Sequence, residues 1–116
     1  MGRVSVYLVD HHGFDQSNAK ALVDIIRPRV AIMDNGAHKG GSPEAWQTVH
    51  DSPALLDLYM LHNAEGSDDA HNSSEAMIAN PKGDGDGHYF KVMAEADGSF
   101  SVTNSRTGNT KHYPAE

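Results

Sequence analysis

The chain contains no cysteine among its 116 residues. A disulfide framework and a thiolate metal site are therefore excluded, and any metal ion must be held by histidine, carboxylate or water. Basic residues are also scarce, since 9 Lys and Arg stand against 16 Asp and Glu, for a formal net charge of −7. This balance argues against a nucleic-acid partner, because a phosphate backbone is bound mainly by Lys and Arg.

Long apolar runs are missing as well. No stretch approaches the roughly 20 apolar residues of a membrane span, and no basic-plus-apolar signal peptide opens the chain, so we expect no membrane partner and leave the compartment open. The length suits one domain, and we expect residues 1–116 to form it. Residues 63–87 are rich in Gly, Asp, Asn and Ser, which predicts a long surface loop broken only at Ala76–Ala79.

The most informative stretch is an apolar strand that ends in two histidines. Residues 4–9 alternate with apolar side chains on both faces, which is typical of a strand covered on two sides. Asp10, His11, His12 and Gly13 follow directly. Imidazole is the commonest metal ligand in proteins. In α/β proteins, ligands bind beyond the carboxyl ends of the sheet strands. We therefore expect His11 and His12 to occupy metal-ligand positions.

Two interpretations of this stretch stay open. The histidines are either ligands, with His11 ranked slightly above His12 because it follows the strand most directly, or ordinary residues of a strand end. Asp10 either orients an imidazole through its second ring nitrogen, as part of the catalytic group, or is a solvated acid.

The next residues predict a βαβ unit. Apolar residues recur at helical spacing over Ala19–Ile26 and stop before Pro28, and Arg29–Met33 is a short buried strand. The spacing favours a crossover and a parallel strand pair. The second strand closes in a glycine-rich loop, in which Asn35, Gly36, His38 and Lys39 are candidates for binding a substrate. The alternative is a flexible loop with no role in a site.

Further elements follow from capping and turn residues. Ser42-Pro43 predicts the start of a short helix that ends at His50 and buries Ala45, Trp46 and Val49. Ala54–Leu61 favours a helical turn followed by a strand over Leu58–Leu61. The C-terminal part predicts a β-hairpin, with strands over His88–Ala94 and Ser99–Thr103 around an Asp-Gly turn and a third strand over Thr110–Tyr113. We therefore predict a mixed α/β (α+β) fold.

The strand, its two histidines and the crossover together resemble the last third of metallo-β-lactamase-fold hydrolases. The resemblance is closest to the bacterial competence-type (DNA-uptake) branch and its secreted relatives, in which a strand ends in His-His-Gly and an Arg-Pro turn leads to a strand that ends in Asn-Gly. It runs over nearly the whole chain and is weakest over Ala64–Gly87. The stretches that carry it are Tyr7-Leu8-Val9-Asp10-His11-His12-Gly13, Asp15-Gln16-Ser17-Asn18, Ile26-Arg27-Pro28-Arg29-Val30-Ala31-Ile32-Met33-Asp34-Asn35-Gly36, Gly40-Gly41-Ser42-Pro43-Glu44-Ala45-Trp46-Gln47-Thr48-Val49 and the tail Asp97-Gly98-Ser99-Phe100-Ser101-Val102-Thr103-Asn104-Ser105-Arg106.

The resemblance implies part of an αββα sandwich with a binuclear site, usually zinc, and a hydrolase acting on an ester, phosphodiester or other small-molecule substrate. The final histidine ligand of that site maps to His11 or His12. The His-x-His-x-Asp-His motif of the family does not occur in this sequence. We therefore expect the C-terminal portion of such a domain, with an incomplete zinc site and no activity by itself.

A different class of function stays open beside the enzyme. The chain is alternatively a binding or structural module without catalysis, which associates with itself as a homo-oligomer through an exposed sheet edge.

Overall fold

A computed structural model describes residues 5–9, 23, 26–82, 85 and 87–115. Four short strands form a parallel sheet in the order β1-β2-β3-β4. They span Val6–Leu8 (β1), Val30–Met33 (β2), Asp57–His62 (β3) and Ile78–Asn80 (β4). The register places Ala31 between Tyr7 and Leu58. The parallel pairing of the first two predicted strands is therefore confirmed.

Helices cover one face of this sheet. The helix α1 spans Pro43–His50, and its N-cap residue Ser42 accepts a hydrogen bond from the Ala45 amide at 3.3 Å. Pro43 occupies the first turn, where its missing N–H costs nothing. The predicted helix and its three buried residues are confirmed. The earlier predicted helix lies mostly outside the described residues, within which Val23 and Ile26 are helical and buried.

Three antiparallel strands cover the other face. They span Phe90–Ala94 (β5), Phe100–Asn104 (β6) and Thr110–Tyr113 (β7), in the order β5-β6-β7. The first turn contains Gly98, with a φ of 92°, and the Asp97 carboxylate accepts hydrogen bonds from the amide and hydroxyl of Ser99. That left-handed backbone conformation favours glycine. The predicted hairpin and the third strand are confirmed.

Two apolar cores separate these layers. The core under the helices contains Met33, Trp46, Val49 and Met60, among others. The core between the two sheets contains Val30, Ile32, Tyr59, Phe100, Val102 and Tyr113. All four residues of β2 are buried, because this strand has an apolar layer on each side. The chain is thus a mixed α/β fold, with a parallel sheet between a helical layer and an antiparallel sheet.

Two regions differ from the expectations. Within residues 63–87, predicted as a long surface loop broken at Ala76–Ala79, the buried strand β4 pairs with β3. The expectation that both faces of the first strand are covered is wrong at Leu8, whose side chain is 65% exposed. Val6 packs against the core between the sheets, but that cover does not reach Leu8 two residues later.

The outer edge of β4 is capped by side chains from the last residue of β6 and from the turn that follows it. The Arg106 guanidinium donates hydrogen bonds to the carbonyl oxygens of Glu75 at 2.8 Å, Ile78 at 3.0 Å and Ala79 at 3.2 Å. The Asn104 amide donates to the Ile78 carbonyl at 3.1 Å. These bonds place the Arg106 guanidinium and the Asn104 amide against the backbone of β4, where they would obstruct the approach of another strand.

A chain of polar groups joins the two sheets at the amino end of β3. One carboxylate oxygen of Asp57 accepts hydrogen bonds from the Lys111 ammonium and the Tyr113 hydroxyl, each at 2.6 Å. Since Tyr113 donates to Asp57, Tyr59 donates to the Tyr113 oxygen across 2.6 Å. Burial raises the pKa of both tyrosines, and the hydrogen bond to Asp57 raises the pKa of Lys111.

Candidate functional site

The carboxyl ends of the parallel strands define the candidate site. Parallel strands all end at one edge of their sheet, and α/β proteins bind ligands beyond that edge. The pairing of β1 and β2 reaches this edge, because the Val9 amide donates to the Ile32 carbonyl at 2.9 Å. The predicted positions Asp10, His11 and His12 follow Val9 in the sequence and lie outside the described residues. Their role as catalytic and metal-binding residues stays a prediction.

Asn35 braces the edge between β2 and β3. It is 1% exposed, and its side-chain NH2 donates to the carbonyl oxygens of His62 at 2.9 Å and Gly36 at 3.2 Å. Its side-chain oxygen accepts from the His62 amide at 3.3 Å. The amide thus continues the β2–β3 pairing beyond the last residue of β2. Both polar atoms of this predicted substrate-binding residue are therefore engaged with the backbone.

The glycine loop, residues 36–41, follows Asn35 and holds the other three predicted substrate-binding residues. The Gly36 amide donates to the Lys39 carbonyl at 2.8 Å, which closes the loop. His38 and Lys39 are exposed, and the His38 ring contacts the Glu65 carboxylate at 3.1 Å. The structure thus brings all four predicted residues to the same sheet edge, with His38 and Lys39 facing solvent.

Gly41 has no room for a side chain. Its φ is 64°, and an added Cβ would lie 2.8 Å from the Ala64 Cβ and 2.9 Å from the side-chain nitrogen of Asn35. The close approach packs the end of the glycine loop against Asn35 and residue 64. The loop is therefore fixed at its end as well as at its start.

A pocket of about 220 Å³ lies between the glycine loop and residues 64–67. Ala37, His38, Gly40, Ser42, Ala64 and Ser67 are among its lining residues. A larger pocket of about 280 Å³ lies beside Trp46, His50 and Leu56. We place the candidate site at the smaller pocket, because it adjoins the carboxyl ends of the strands and the predicted residues.

The structure adds two residues that the sequence did not single out for this edge. His62 ends β3, and its ring nitrogen Nδ1 is buried without a hydrogen-bond partner among the described residues. Asn80 ends β4, is 2% exposed, and donates to the carbonyl oxygens of Leu61 at 3.0 Å and His88 at 2.9 Å. Asn80 directly follows a short apolar run, and Asn35 follows one after a single intervening residue, Asp34, so an asparagine close behind a short apolar run is the sequence signal that the two share.

The described residues do not by themselves form a metal centre. Within residues 5–9, 26–82 and 87–115, no three His, Asp or Glu side chains are grouped so that they could hold a metal ion. A catalytic zinc ion takes about three protein ligands. The described residues therefore do not fit a complete zinc site.

Comparison of the chain with protein-family models, curated proteins and solved structures finds no match. In the part of the chain that the structure describes, no helix combines the length and apolar character needed to cross a membrane.

Proposed function

We propose that this chain is the C-terminal part of a zinc-dependent hydrolase with a metallo-β-lactamase-like αββα sandwich. In this proposal His11 or His12 supplies the last histidine ligand, and Asp10 orients that imidazole. The substrate is an ester, a phosphodiester or a related small molecule. Zinc would polarise the substrate and activate water. The remaining ligands come from outside the described residues.

One observation carries the proposal. β1 and β2 are adjacent parallel strands, and Val9, the residue before Asp10, is buried and bonded to β2 at the carboxyl edge. The predicted ligand stretch therefore starts at the same edge as the glycine loop. A helical layer, a parallel sheet and an antiparallel sheet also correspond to three successive layers of such a sandwich.

The proposal is tested by titrating zinc into the metal-stripped, 15N-labelled chain and following its amide resonances. We expect weak binding that shifts the amides of Val9, Asn35 and Gly36 and leaves those of β6 unchanged. His11→Ala or His12→Ala should abolish the shifts. His112→Ala, which removes an exposed histidine on β7, is the matched control and should preserve them. Shifts that survive both substitutions at residues 11 and 12 would contradict the proposal.

A second function is favoured by the exposure of Leu8. Among the described residues β1 is an outer strand of the parallel sheet, and its Leu8 side chain is 65% exposed, whereas the opposite edge at β4 is capped. A non-catalytic module would associate with itself through β1. Sedimentation at several concentrations checks this: self-association that Leu8→Lys weakens would support it, and a monomer throughout would exclude it.

A further inference from the structure

The strand β5 is an open edge of the antiparallel sheet. Within the part of the chain that the structure describes, β5 is bonded to β6 on one side and to no strand on the other. Four of its residues, Lys91 to Ala94, are exposed, whereas the neighbouring β6 alternates buried and half-buried residues. An exposed strand edge of this kind is a template for pairing with a further strand.

The backbone of every second residue of β5 faces the open side. Tyr89 before β5 and Glu95 after it are both bonded to the β6 side of the hairpin, through the Tyr89 carbonyl and the Glu95 amide, each at 2.9 Å. Hydrogen-bonded and non-hydrogen-bonded pairs alternate along an antiparallel ladder. Odd-numbered residues therefore bond β6, and the N–H and C=O groups of Phe90, Val92 and Ala94 point to the open side.

The side chains along β5 are self-complementary in charge. Val92 lies opposite the buried Val102 and so shares the face that points to the parallel sheet. The other face carries Lys91, Met93 and Glu95 in order, which is one positive, one apolar and one negative side chain. Neither Lys91 nor Glu95 forms an ion pair within the described residues. A twofold rotation would set each of these charges against the opposite charge of a second copy.

We propose that two copies of this chain associate by pairing β5 with β5 in antiparallel orientation, about a twofold axis at Met93. Lys91 of each copy then lies opposite Glu95 of the other. Val92 and Ala94 of opposite copies exchange hydrogen bonds, because both present their backbone groups to the open side. The two Met93 residues form a non-hydrogen-bonded pair with Cα atoms about 4.5 Å apart, so their side chains contact.

The charges select this register over its neighbours. An axis at Val92 would set Lys91 against Met93, and an axis at Ala94 would set Glu95 against Met93. Both registers satisfy the backbone equally well, but each leaves the two charges without opposite partners. Opposite charges directly across an antiparallel pair stabilise it, and like charges destabilise it. Of the three registers, the axis at Met93 is therefore the favoured one.

The association should be weak and dependent on conditions. It covers the side chains of Val92 and Met93, which are 40% and 50% exposed in the single chain. Against this gain, each copy carries a net charge of −7, which repels the other copy. At about 0.15 M salt the Debye length is about 8 Å, so the long-range repulsion is screened more than the directly opposed charges are.

Sedimentation of the full chain at about 0.15 M salt, over concentrations up to the millimolar range, tests the proposal. We expect a reversible monomer–dimer equilibrium. Lys91→Glu sets like charges against each other at both ends of the pairing and should weaken the dimer about tenfold. Adding Glu95→Lys to that variant restores opposite charges and should recover the original affinity to within about twofold. Lys82→Glu, at an exposed lysine outside β5, makes the same change in net charge and should have little effect.

Amide hydrogen exchange then locates the interface. The amides of Val92 and Ala94 should become more protected as the concentration rises, because they acquire acceptors only in the dimer. The amides of Lys91 and Met93 face β6 in the single chain and should change little. This alternation between neighbouring residues is specific to pairing of strands at this edge.

A chain that stays monomeric at every concentration would overturn the proposal, as would a dimer that Lys91→Glu and Lys82→Glu weaken equally. Association that Leu8→Lys weakens, without any change in the exchange of Val92 and Ala94, would locate the interface at β1 and would overturn it as well. The pairing does not rest on the proposed hydrolase, and no metal is added, so the result is independent of the zinc titration.

Discussion

At its amino end the parallel sheet is joined to the antiparallel sheet by charged and phenolic groups, whereas at its carboxyl end it is braced by neutral amides. Asp57, Lys111 and Tyr113 form the first group, and they link one sheet directly to the other. Asn35 and Asn80 form the second, and among the described residues they bind backbone atoms of neighbouring strands and loops. The amino end therefore holds layers together, while the carboxyl end shapes loops and leaves the exposed side chains of His38 and Lys39 available to a ligand.

Removing the carboxylate at the amino end should have the largest effect. Asp57→Ala leaves the Tyr113 hydroxyl without its acceptor and Lys111 without its partner, so we expect the free energy of unfolding to fall by about 3 kcal/mol. Denaturant titration measures this loss. Asp69→Ala, at an exposed position between β3 and β4, is the control and should change stability by no more than about 0.5 kcal/mol. If the two substitutions lowered the free energy of unfolding equally, the contact between the sheets would contribute nothing to stability.

Removing the amide brace at the carboxyl end should have a smaller effect on stability. Asn35→Ala leaves the part-buried backbone N–H and C=O of His62 without their side-chain partner, and we expect a loss of about 2 kcal/mol. The amide resonances of the glycine loop should shift, whereas those of β6 and β7 should stay in place. Asn63→Ala, beside the same strand end, is the control. Shifts that spread through the antiparallel sheet would contradict the division between the two ends.

Alkaline pH should weaken the amino end selectively. The pKa values of Tyr59 and Tyr113 are raised by burial, so the folded chain holds these protons more tightly than the unfolded chain does. Their contribution is fully present below the unfolded tyrosine pKa of about 10 and is lost as the pH rises above it. We expect the free energy of unfolding to fall by about 1 kcal/mol between pH 9 and 11.

Tyr59→Phe should reduce this alkaline slope without abolishing it, because Tyr113 and Lys111 remain. Tyr89→Phe, at a residue that is 59% exposed, should leave the slope unchanged. Denaturant titration at several pH values measures both slopes, and indistinguishable slopes in the two variants would refute the role of the buried tyrosines.

The sequence predicted the helices, strands and turns better than it predicted which elements pack against them. The apolar run before Asp34, the Ser-Pro cap of α1 and the Asp-Gly turn each carry a local signal, and each element lies where that signal places it. The exposure of Leu8 and the inclusion of β4 in the sheet depend on partners distant in the sequence. The apolar periodicity of a sequence therefore identifies a strand, but it does not show whether other elements of the fold pack against both faces of that strand.

For the candidate site, the sequence identified the loop but not its bracing. Glycines and a turn after a buried strand were sufficient to locate Asn35–Gly41 at an edge. The bonds of Asn35 to His62 and of Asn80 to His88 join residues that are 27 and 8 positions apart. No local pattern shows which backbone groups a buried amide will satisfy, so these braces became visible only with the pairing of the strands.

Because Arg106 and Asn104 cap β4, the two edges of the parallel sheet differ in how readily they could pair with a further strand. The carbonyl oxygens of Ile78 and Ala79 already have side-chain donors, so a strand added at that side would first have to displace a guanidinium. Within the described residues, the open side of the sheet is the one at β1. Any extension of the sheet, whether by more of this polypeptide or by another molecule, should therefore proceed from β1, next to the end of the strand that leads into the two histidines.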